Sequence, residues 1–278
     1  MAFKIIDEKK VHVAELNPKG KQTIIMIHGL FSNLSVFYLK IAPRLAKNFH
    51  VVLYDMRSHG RSECRSEGYS PEILSDDLLN LMDEMNIEKA YLAGFSFGGI
   101  VAMCTALRCP NKTERLALVE MPMLHEPAFS NPYNSKEDFE LVVKQYMQSL
   151  GVALPKIMME KVLTKMLSSF GNGMLQEAFK DGRRFFNEKP PERLSMPALL
   201  LYGDKSPFLE TGYALRNRIP GVLFDLGNGD HDLPIKEGDW ISSHLESFFG
   251  VKETEEEEEG VSVPRMPDSN AVFRLKHV

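Results

Sequence analysis

The chain has 278 residues, of which 44% are hydrophobic and 26% are charged, as in an average globular protein. These proportions exclude a wholly disordered or fibrous chain, and no apolar run is long enough to suggest a membrane span. The formal net charge is −5 at pH 7, but six acidic residues lie within the stretch 253–259, and without them it would be +1. A nearly neutral body argues against binding to nucleic acid or to a membrane surface.

The N-terminal segment and the cysteines favour a cytoplasmic protein. Charged residues appear at Lys4 and Asp7, before any apolar run of signal-peptide length, so we do not expect secretion. Cys64, Cys104 and Cys109 are not spaced as zinc ligands are, and we expect them to be reduced thiols. Neither a metal ion nor a cofactor is expected.

Short apolar runs, typical of strands, alternate with longer amphipathic stretches. The first two, Phe3–Ile6 and Val11–Ala14, predict an antiparallel pair at one edge of a sheet. The later runs are almost continuous in hydrophobicity, as strands buried on both faces are. They are Ile24–Ile27, Val51–Tyr54, Tyr91–Ala93, Leu116–Val119, Ala198–Tyr202 and Val222–Phe224.

The stretches between these runs predict helices. One spans Pro71–Met85, with Ser70 as its N-cap and proline at its first position. Another begins just after Ser96 and stops before Pro110, and Trp240–Phe249 forms the last. This alternation predicts an α/β fold, with a mostly parallel sheet flanked by helices.

The alternation fails between Met121 and Met196, where the pattern is helical. Three helices are predicted there, over Phe139–Leu150, Ile157–Phe170 and Met174–Phe186. The expected organisation is a core of residues 1–120 and 197–250, a helical lid of 121–196, and an acidic tail of 251–278. The tail is either a solvated segment or an element that docks another protein.

A serine stands where a nucleophile is expected. Gly94-Phe95-Ser96-Phe97-Gly98 follows a predicted strand and opens a predicted helix, which is the context of the G-x-S-x-G elbow. The sharp turn requires glycines at the flanking positions. The helix N-terminus directs N–H groups towards an oxyanion. Ser96 is therefore the candidate nucleophile, and the Phe97 N–H is a candidate oxyanion donor.

Two further segments complete this candidate site. His28-Gly29-Leu30 follows another strand, and its tight turn makes the Leu30 N–H the second candidate oxyanion donor. We expect His28 itself to be structural. His231 follows the last strand in a glycine-rich loop, so it is the candidate base that activates the serine.

These motifs together resemble the α/β-hydrolase superfamily, and more narrowly its lid-bearing esterase, haloperoxidase-like and dehalogenase-like branch. The resemblance covers about residues 20 to 250 and implies an α/β-hydrolase fold with a helical lid. One position departs from the family pattern, because Ser206 stands where relatives carry the catalytic aspartate. Three alternatives remain for the acid: Glu120 at the end of a strand, Asp204, or none.

The resemblance also implies a function. The leading hypothesis is a hydrolase that cleaves a small-molecule carboxylic ester or thioester through an acyl-enzyme. We expect Phe31, Phe95, Met121 and, from the lid, His125 to line the substrate site. Apolar lid residues suggest a medium-sized acyl group, or simply form the lid's own core; they are Met147, Met158, Met159, Met166, Phe170, Met174, Phe185 and Phe186.

Two other classes of function stay open. One is a non-hydrolytic biosynthetic enzyme, such as a cyclase, lyase or acyl transferase, that uses the same oxyanion site. The other is a ligand-binding or signalling protein whose catalysis has weakened, which the serine at position 206 would favour. A p-nitrophenyl ester panel and a fluorophosphonate probe separate these alternatives.

Overall fold

The computed structural model describes residues 2–65, 67–122 and 174–250, without the side chains of 174–180. The strands are β1 (Ala2–Ile6), β2 (Lys9–Leu16), β3 (Thr23–Ile27), β4 (His50–Tyr54), β5 (Ala90–Phe95), β6 (Thr113–Val119), β7 (Ala198–Gly203) and β8 (Leu223–Gly227). The helices are α1 (Ser35–Tyr38), α2 (Ile41–Leu45), α3 (Pro71–Glu84), α4 (Phe97–Arg108), α5 (Met174–Glu188), α6 (Leu209–Arg218), α7 (Leu233–Lys236) and α8 (Gly238–Gly250). Short 3-10 turns occupy Pro110–Lys112 and Pro191–Arg193.

The described strands form one eight-stranded sheet in the order β1-β2-β4-β3-β5-β6-β7-β8. The first two strands pair antiparallel with each other, and β2 pairs antiparallel with β4. All other pairs are parallel. The predicted mostly parallel α/β fold is therefore confirmed. Because β3 to β8 run in one direction, the loops that follow them meet at one edge of the sheet.

Both faces of the sheet are covered, which explains why its central strands are apolar throughout. In β3, Ile25 and Ile27 pack on the face covered by α3 and α4. Their neighbours Ile24 and Met26 pack on the opposite face, with residues of α2 and α8. The alternation follows from the period of two of a β-strand, whose successive side chains point to opposite faces.

The helix predicted over 71–85 is confirmed as α3. Ser70 has extended backbone angles, and its hydroxyl accepts a hydrogen bond from the Ile73 N–H at 3.3 Å, so it is the N-cap. An N-cap of this kind satisfies one N–H group that the helix cannot, and stabilises by about 1 kcal/mol. The helix packs on α4, whose buried residues face it across the same layer of the core.

The prediction that every later strand is buried on both faces is wrong for β8. Its residues Leu223 and Leu226 are 56% and 37% exposed. In the described sheet β8 pairs only with β7, which makes it an edge strand with incomplete cover. The apolar run correctly predicted a strand, but hydrophobicity alone does not indicate where in the sheet that strand lies.

Part of the predicted lid is described. Met174–Glu188 is a helix, as its pattern predicted, and Phe185 and Phe186 are buried in the core layer that contains α3 and α4. These two rings are therefore core residues of the described chain. Residues 123–173, with two of the predicted lid helices, and the acidic tail 251–278 lie outside the described residues. The division into core, lid and tail stays a prediction.

Candidate active site

Ser96 lies on a sharp turn between β5 and α4. Its φ of 53° falls in the left-handed region that side chains other than glycine rarely adopt. The turn is tight: a Cβ on Gly94 would lie 2.3 Å from the carbonyl oxygen of Gly98, and one on Gly98 would lie 2.2 Å from that of Ile27. The two glycines of the elbow are thus required by the close approach of backbone to backbone.

The turn after β3 lies directly beside this serine. A Cβ on Gly29 would come within 3.0 Å of the Ser96 Cβ, so the backbone at Gly29 and Leu30 borders the nucleophile. Phe97 is the first residue of α4 and follows Ser96 immediately. The N–H groups of the first turn of a helix point along its axis, away from intrahelical partners. Phe97 is therefore the chain neighbour of Ser96, and the turn that precedes Leu30 lies beside it; the role of the two N–H groups as oxyanion donors stays a prediction.

His28 is structural, as predicted. Its Nδ1–H donates to the Gly29 carbonyl at 2.7 Å, and its Nε2 accepts from the Met56 N–H at 3.0 Å. This pattern requires the neutral ring. Complete burial, reinforced by the neighbouring His59, lowers the pKa of His28 to about 3. The residue fixes the turn that carries Leu30, and its ring stays uncharged near neutral pH.

The imidazole of His231 lies between Ser96 and Glu120. Its Nε2 is 3.1 Å from Ser96 Oγ, and its Nδ1 is 3.2 Å from Glu120 Oε2. With the proton on Nδ1, the ring donates to the carboxylate and accepts the serine proton at Nε2. A ring held in this way can remove the proton from the alcohol while the carboxylate stabilises the imidazolium that forms.

Glu120 comes directly after β6 and its side chain is fully buried. The register of the sheet brings it to the site, because the Ser96 N–H donates to Val119 O and the Glu120 N–H donates to Leu201 O. Its φ of 52° turns the chain sharply at this point. The Gly203 N–H donates to Oε1, and the hydroxyl of Ser206 donates to Oε2.

Asp204, the alternative acid, does not join this group. It is exposed, and its Oδ1 accepts from the Gly229 N–H at 2.9 Å. That contact holds the β7 end against the loop that carries His231. Of the two carboxylates considered from the sequence, the structure brings only Glu120 to the imidazole.

Two aromatic rings enclose the imidazole. Phe95 stacks on it with centroids 5.1 Å apart, and Phe208 meets it edge-on at 4.8 Å. Phe95 is buried behind the ring, where it also packs on Phe37. Sequence reasoning missed Phe208; the only signal was an aromatic residue two positions after Ser206, in a loop already assigned to the site.

The other predicted substrate residues fall in different places. Met121 is fully buried, and its side chain lies against Gly99 of the elbow helix. Phe31 is half-buried, with a φ of 59°, in the turn that carries Leu30. His125 lies outside the described residues. Contact of these residues with a substrate stays a prediction.

Charged neighbours hold the His231 loop. Lys236 Nζ lies 2.9 Å from the Asp230 carboxylate, and this hydrogen bond lowers the pKa of Asp230 and raises the pKa of Lys236. Burial raises the pKa of Asp232, whose N–H donates to the Asp230 side chain at 3.1 Å. The short helix α7 is thus tied to the residue before the imidazole.

Within the described residues, no three His, Cys, Asp or Glu side chains are grouped so that they could hold a metal ion. None of the described helices is both long enough and apolar enough to cross a bilayer.

A family model described as the alpha/beta hydrolase fold matches residues 22–154. That segment carries β3 to β6, the Ser96 elbow and Glu120. The described chain has the α/β-hydrolase fold.

Several known proteins are similar to this chain. The uncharacterized hydrolase YugF of Bacillus subtilis is 26% identical over 267 residues, which cover 88% of this chain and 96% of the relative. An sn-1-specific diacylglycerol lipase of Danio rerio is 39% identical over 106 residues, but these cover only 37% of this chain and 33% of the lipase. The crystal structure of a hydrolase from Pseudomonas aeruginosa PA01 superposes with a TM-score of 0.74 at 21% identity, covering 90% of this chain and 98% of the other.

Proposed function

We propose that this α/β hydrolase is a serine hydrolase that cleaves carboxylic esters or thioesters through an acyl-enzyme. The observation that carries the proposal is the position of one imidazole, within 3.1 Å of the Ser96 hydroxyl and 3.2 Å of the Glu120 carboxylate. An alcohol becomes a nucleophile at neutral pH only when a base removes its proton as it attacks.

The proposed reaction assigns one task to each residue. Ser96 Oγ attacks the carbonyl carbon, and its proton passes to His231 Nε2. The oxygen of the tetrahedral intermediate accepts hydrogen bonds from the Leu30 and Phe97 N–H groups. His231 then returns the proton to the leaving alcohol or thiol, which leaves the acyl group on Ser96. A water molecule attacks that ester with the same base, and the acid product leaves with serine restored.

The position of Glu120 also helps to judge the alternative that the protein binds a ligand and has weakened catalytic activity. That alternative depended on the serine at position 206, where relatives have their acid. Here a buried carboxylate reaches the Nδ1 of His231 from a different strand. A negative charge at this place stabilises the imidazolium, so a catalytic function is the better supported one.

The substrate class within esters is a separate part of the proposal. The methionines and phenylalanines between residues 121 and 196 suggest a medium-sized apolar acyl group. Phe185 and Phe186 do not contribute to that argument, because they are buried in the core.

The test combines labelling with turnover. A fluorophosphonate probe should attach to Ser96 of the wild-type protein with loss of fluoride, and the Ser96→Ala variant should not be labelled. Ser243→Ala, on the exposed side of α8, removes a hydroxyl remote from the site and serves as the matched control. p-Nitrophenyl esters of increasing chain length should be turned over repeatedly by wild type and control. Labelling without multiple turnovers of any ester or thioester would contradict the proposal.

A further inference from the structure

The loop of residues 203–208, called here the β7 loop, donates two hydrogen bonds to the Glu120 carboxylate. The Gly203 N–H donates to Oε1. The Ser206 hydroxyl donates to Oε2, the same oxygen that faces His231 Nδ1. The acid of the proposed triad therefore comes from β6, whereas the groups that hold it come from β7.

The direction of the Ser206 proton is fixed by a third contact. The N–H of Phe208 donates to Ser206 Oγ at 3.0 Å, which occupies an acceptor position of the hydroxyl. A hydroxyl has one proton to donate, and the acceptor in the other hydrogen bond of Ser206 Oγ is Glu120 Oε2. Ser206 is only 8% exposed, so water competes poorly for this bond.

We infer that Ser206 is a positioning residue, which sets the orientation of the Glu120 carboxylate towards His231. The inference rests on the proposed function, because it assigns Ser206 an effect on catalysis through that pair. With the hydroxyl removed, only the Gly203 N–H from the β7 loop holds the carboxylate. Rotation about its terminal bond then moves Oε2 away from Nδ1, and the imidazole loses the partner that fixes its tautomer.

The first test is steady-state kinetics on the best p-nitrophenyl ester. Ser206→Ala should lower kcat about tenfold with KM changed less than about twofold, since a hydrogen bond to a charged group is lost that does not touch substrate. Ser206→Thr keeps the hydroxyl and should retain most of the activity. Ser243→Ala is the control for removing a serine hydroxyl. Thermal unfolding of each variant confirms that the fold is intact.

A double-mutant cycle separates positioning from a general structural effect. If Ser206 acts through Glu120, adding Ser206→Ala to Glu120→Gln should lower kcat by less than about twofold further. If the two losses multiply, Ser206 acts independently of Glu120 and the inference is wrong. An unchanged kcat in Ser206→Ala alone would also overturn it.

A spectroscopic measurement reads the same contact without any turnover. The proton on His231 Nδ1 should give a low-field NMR resonance that Ser206→Ala shifts or broadens and Ser206→Thr and Ser243→Ala leave in place. An unmoved resonance in Ser206→Ala overturns the inference. If wild type hydrolyses no ester, the proposed function fails, and this resonance still decides whether Ser206 orients the pair.

Discussion

Glu120 Oε2 lies 3.2 Å from His231 Nδ1, although the two residues follow strands that are not neighbours in the sheet. β7 separates β6, which ends before Glu120, from β8, which leads to His231. The Glu120 carboxylate reaches across the end of β7 from the end of β6. That end lies beside the end of β5, which Ser96 follows. The proposed triad would thus take its nucleophile and its acid from the ends of adjacent strands, and its base from further along the sheet.

The first prediction concerns the identity of the acid. Glu120→Gln keeps the shape of the side chain but removes the charge that stabilises the imidazolium. We expect kcat on the best ester to fall by roughly 10³-fold, with little change in the free energy of unfolding. Both quantities are measured on the purified variant, by ester hydrolysis and by urea titration.

Asp204→Asn is the matched control, since it also converts a carboxylate of this region into an amide. Its Oδ1 can still accept from the Gly229 N–H, and its side chain does not contact the imidazole. We expect a loss of no more than about threefold in kcat, as for a surface charge change. A larger loss here than in Glu120→Gln would reverse the assignment of the acid.

The second prediction concerns the serine turn. In Gly98→Ala the new Cβ would lie 2.2 Å from the carbonyl oxygen of Ile27 and 2.4 Å from that of His28. These are backbone atoms, so the elbow must shift away from β3. We expect a loss of about 3 kcal/mol in unfolding free energy, together with loss of fluorophosphonate labelling.

Gly250→Ala provides the comparison for this substitution. Apart from the backbone of its own helix turn, no atom of the described residues lies within 4 Å of the Cβ that it adds at the end of α8. Its stability, measured in the same urea titration, should stay within about 0.5 kcal/mol of wild type. Equal stability of Gly98→Ala and Gly250→Ala would mean that the elbow tolerates a side chain, against the close contact described above.

The third prediction uses the pKa of His28, which burial lowers from 6.5 to about 3. Below pH 6.5 the unfolded chain binds a proton at this residue that the folded chain does not. The unfolding free energy should therefore fall as the pH drops, by up to about 1.4 kcal/mol per pH unit from this group, until the folded pKa is reached.

The measurement compares wild type with His28→Asn. The asparagine amide can still donate to the Gly29 carbonyl, but it does not titrate. The unfolding free energy of each protein is measured by urea titration at about pH 7.5 and about pH 5. Between these two pH values it should fall by about 2 kcal/mol more in wild type than in the variant. Equal losses would show that His28 takes up no proton on unfolding in this range.

The sequence predicted those parts of the site that depend on local chain geometry. The Ser96 elbow needs two glycines at fixed spacing, and the strand before it is a continuous apolar run. The loop that carries His231 was likewise recognisable from its glycines and its place after the last strand. Each of these signals lies within about ten neighbouring residues, so the pattern alone could predict them.

The identity of the candidate acid and its hydrogen-bond partners could not be predicted from such local signals. Glu120 and Ser206 are 86 positions apart, and their hydrogen bond exists only because β6 and β7 are adjacent and in register. The edge position of β8 was not predicted for the same reason: an apolar run indicates a strand but does not indicate which strands lie beside it. Contacts that depend on sheet order are set by the whole fold.

The contact between Ser206 and Glu120 has a further consequence for the position of the acid. The Ser206 Oγ already lies within hydrogen-bond distance of Glu120 Oε2, which in turn faces His231 Nδ1. A carboxylate at position 206 extends about one bond further than the hydroxyl. It can therefore approach the imidazole from the β7 loop, provided that position 120 no longer carries a negative charge.

The last prediction is that moving the carboxylate restores activity. In the double variant Glu120→Gln with Ser206→Asp, the glutamine Oε1 can accept from the Gly203 N–H and its amide can donate to the new aspartate. The aspartate then stabilises the imidazolium, and we expect kcat to recover at least about tenfold over Glu120→Gln. Ser206→Asp alone should be less active than wild type, since two buried carboxylates would repel each other. Ester hydrolysis across the four proteins checks this, and no recovery in the double variant would mean that position 206 cannot present an acid to His231.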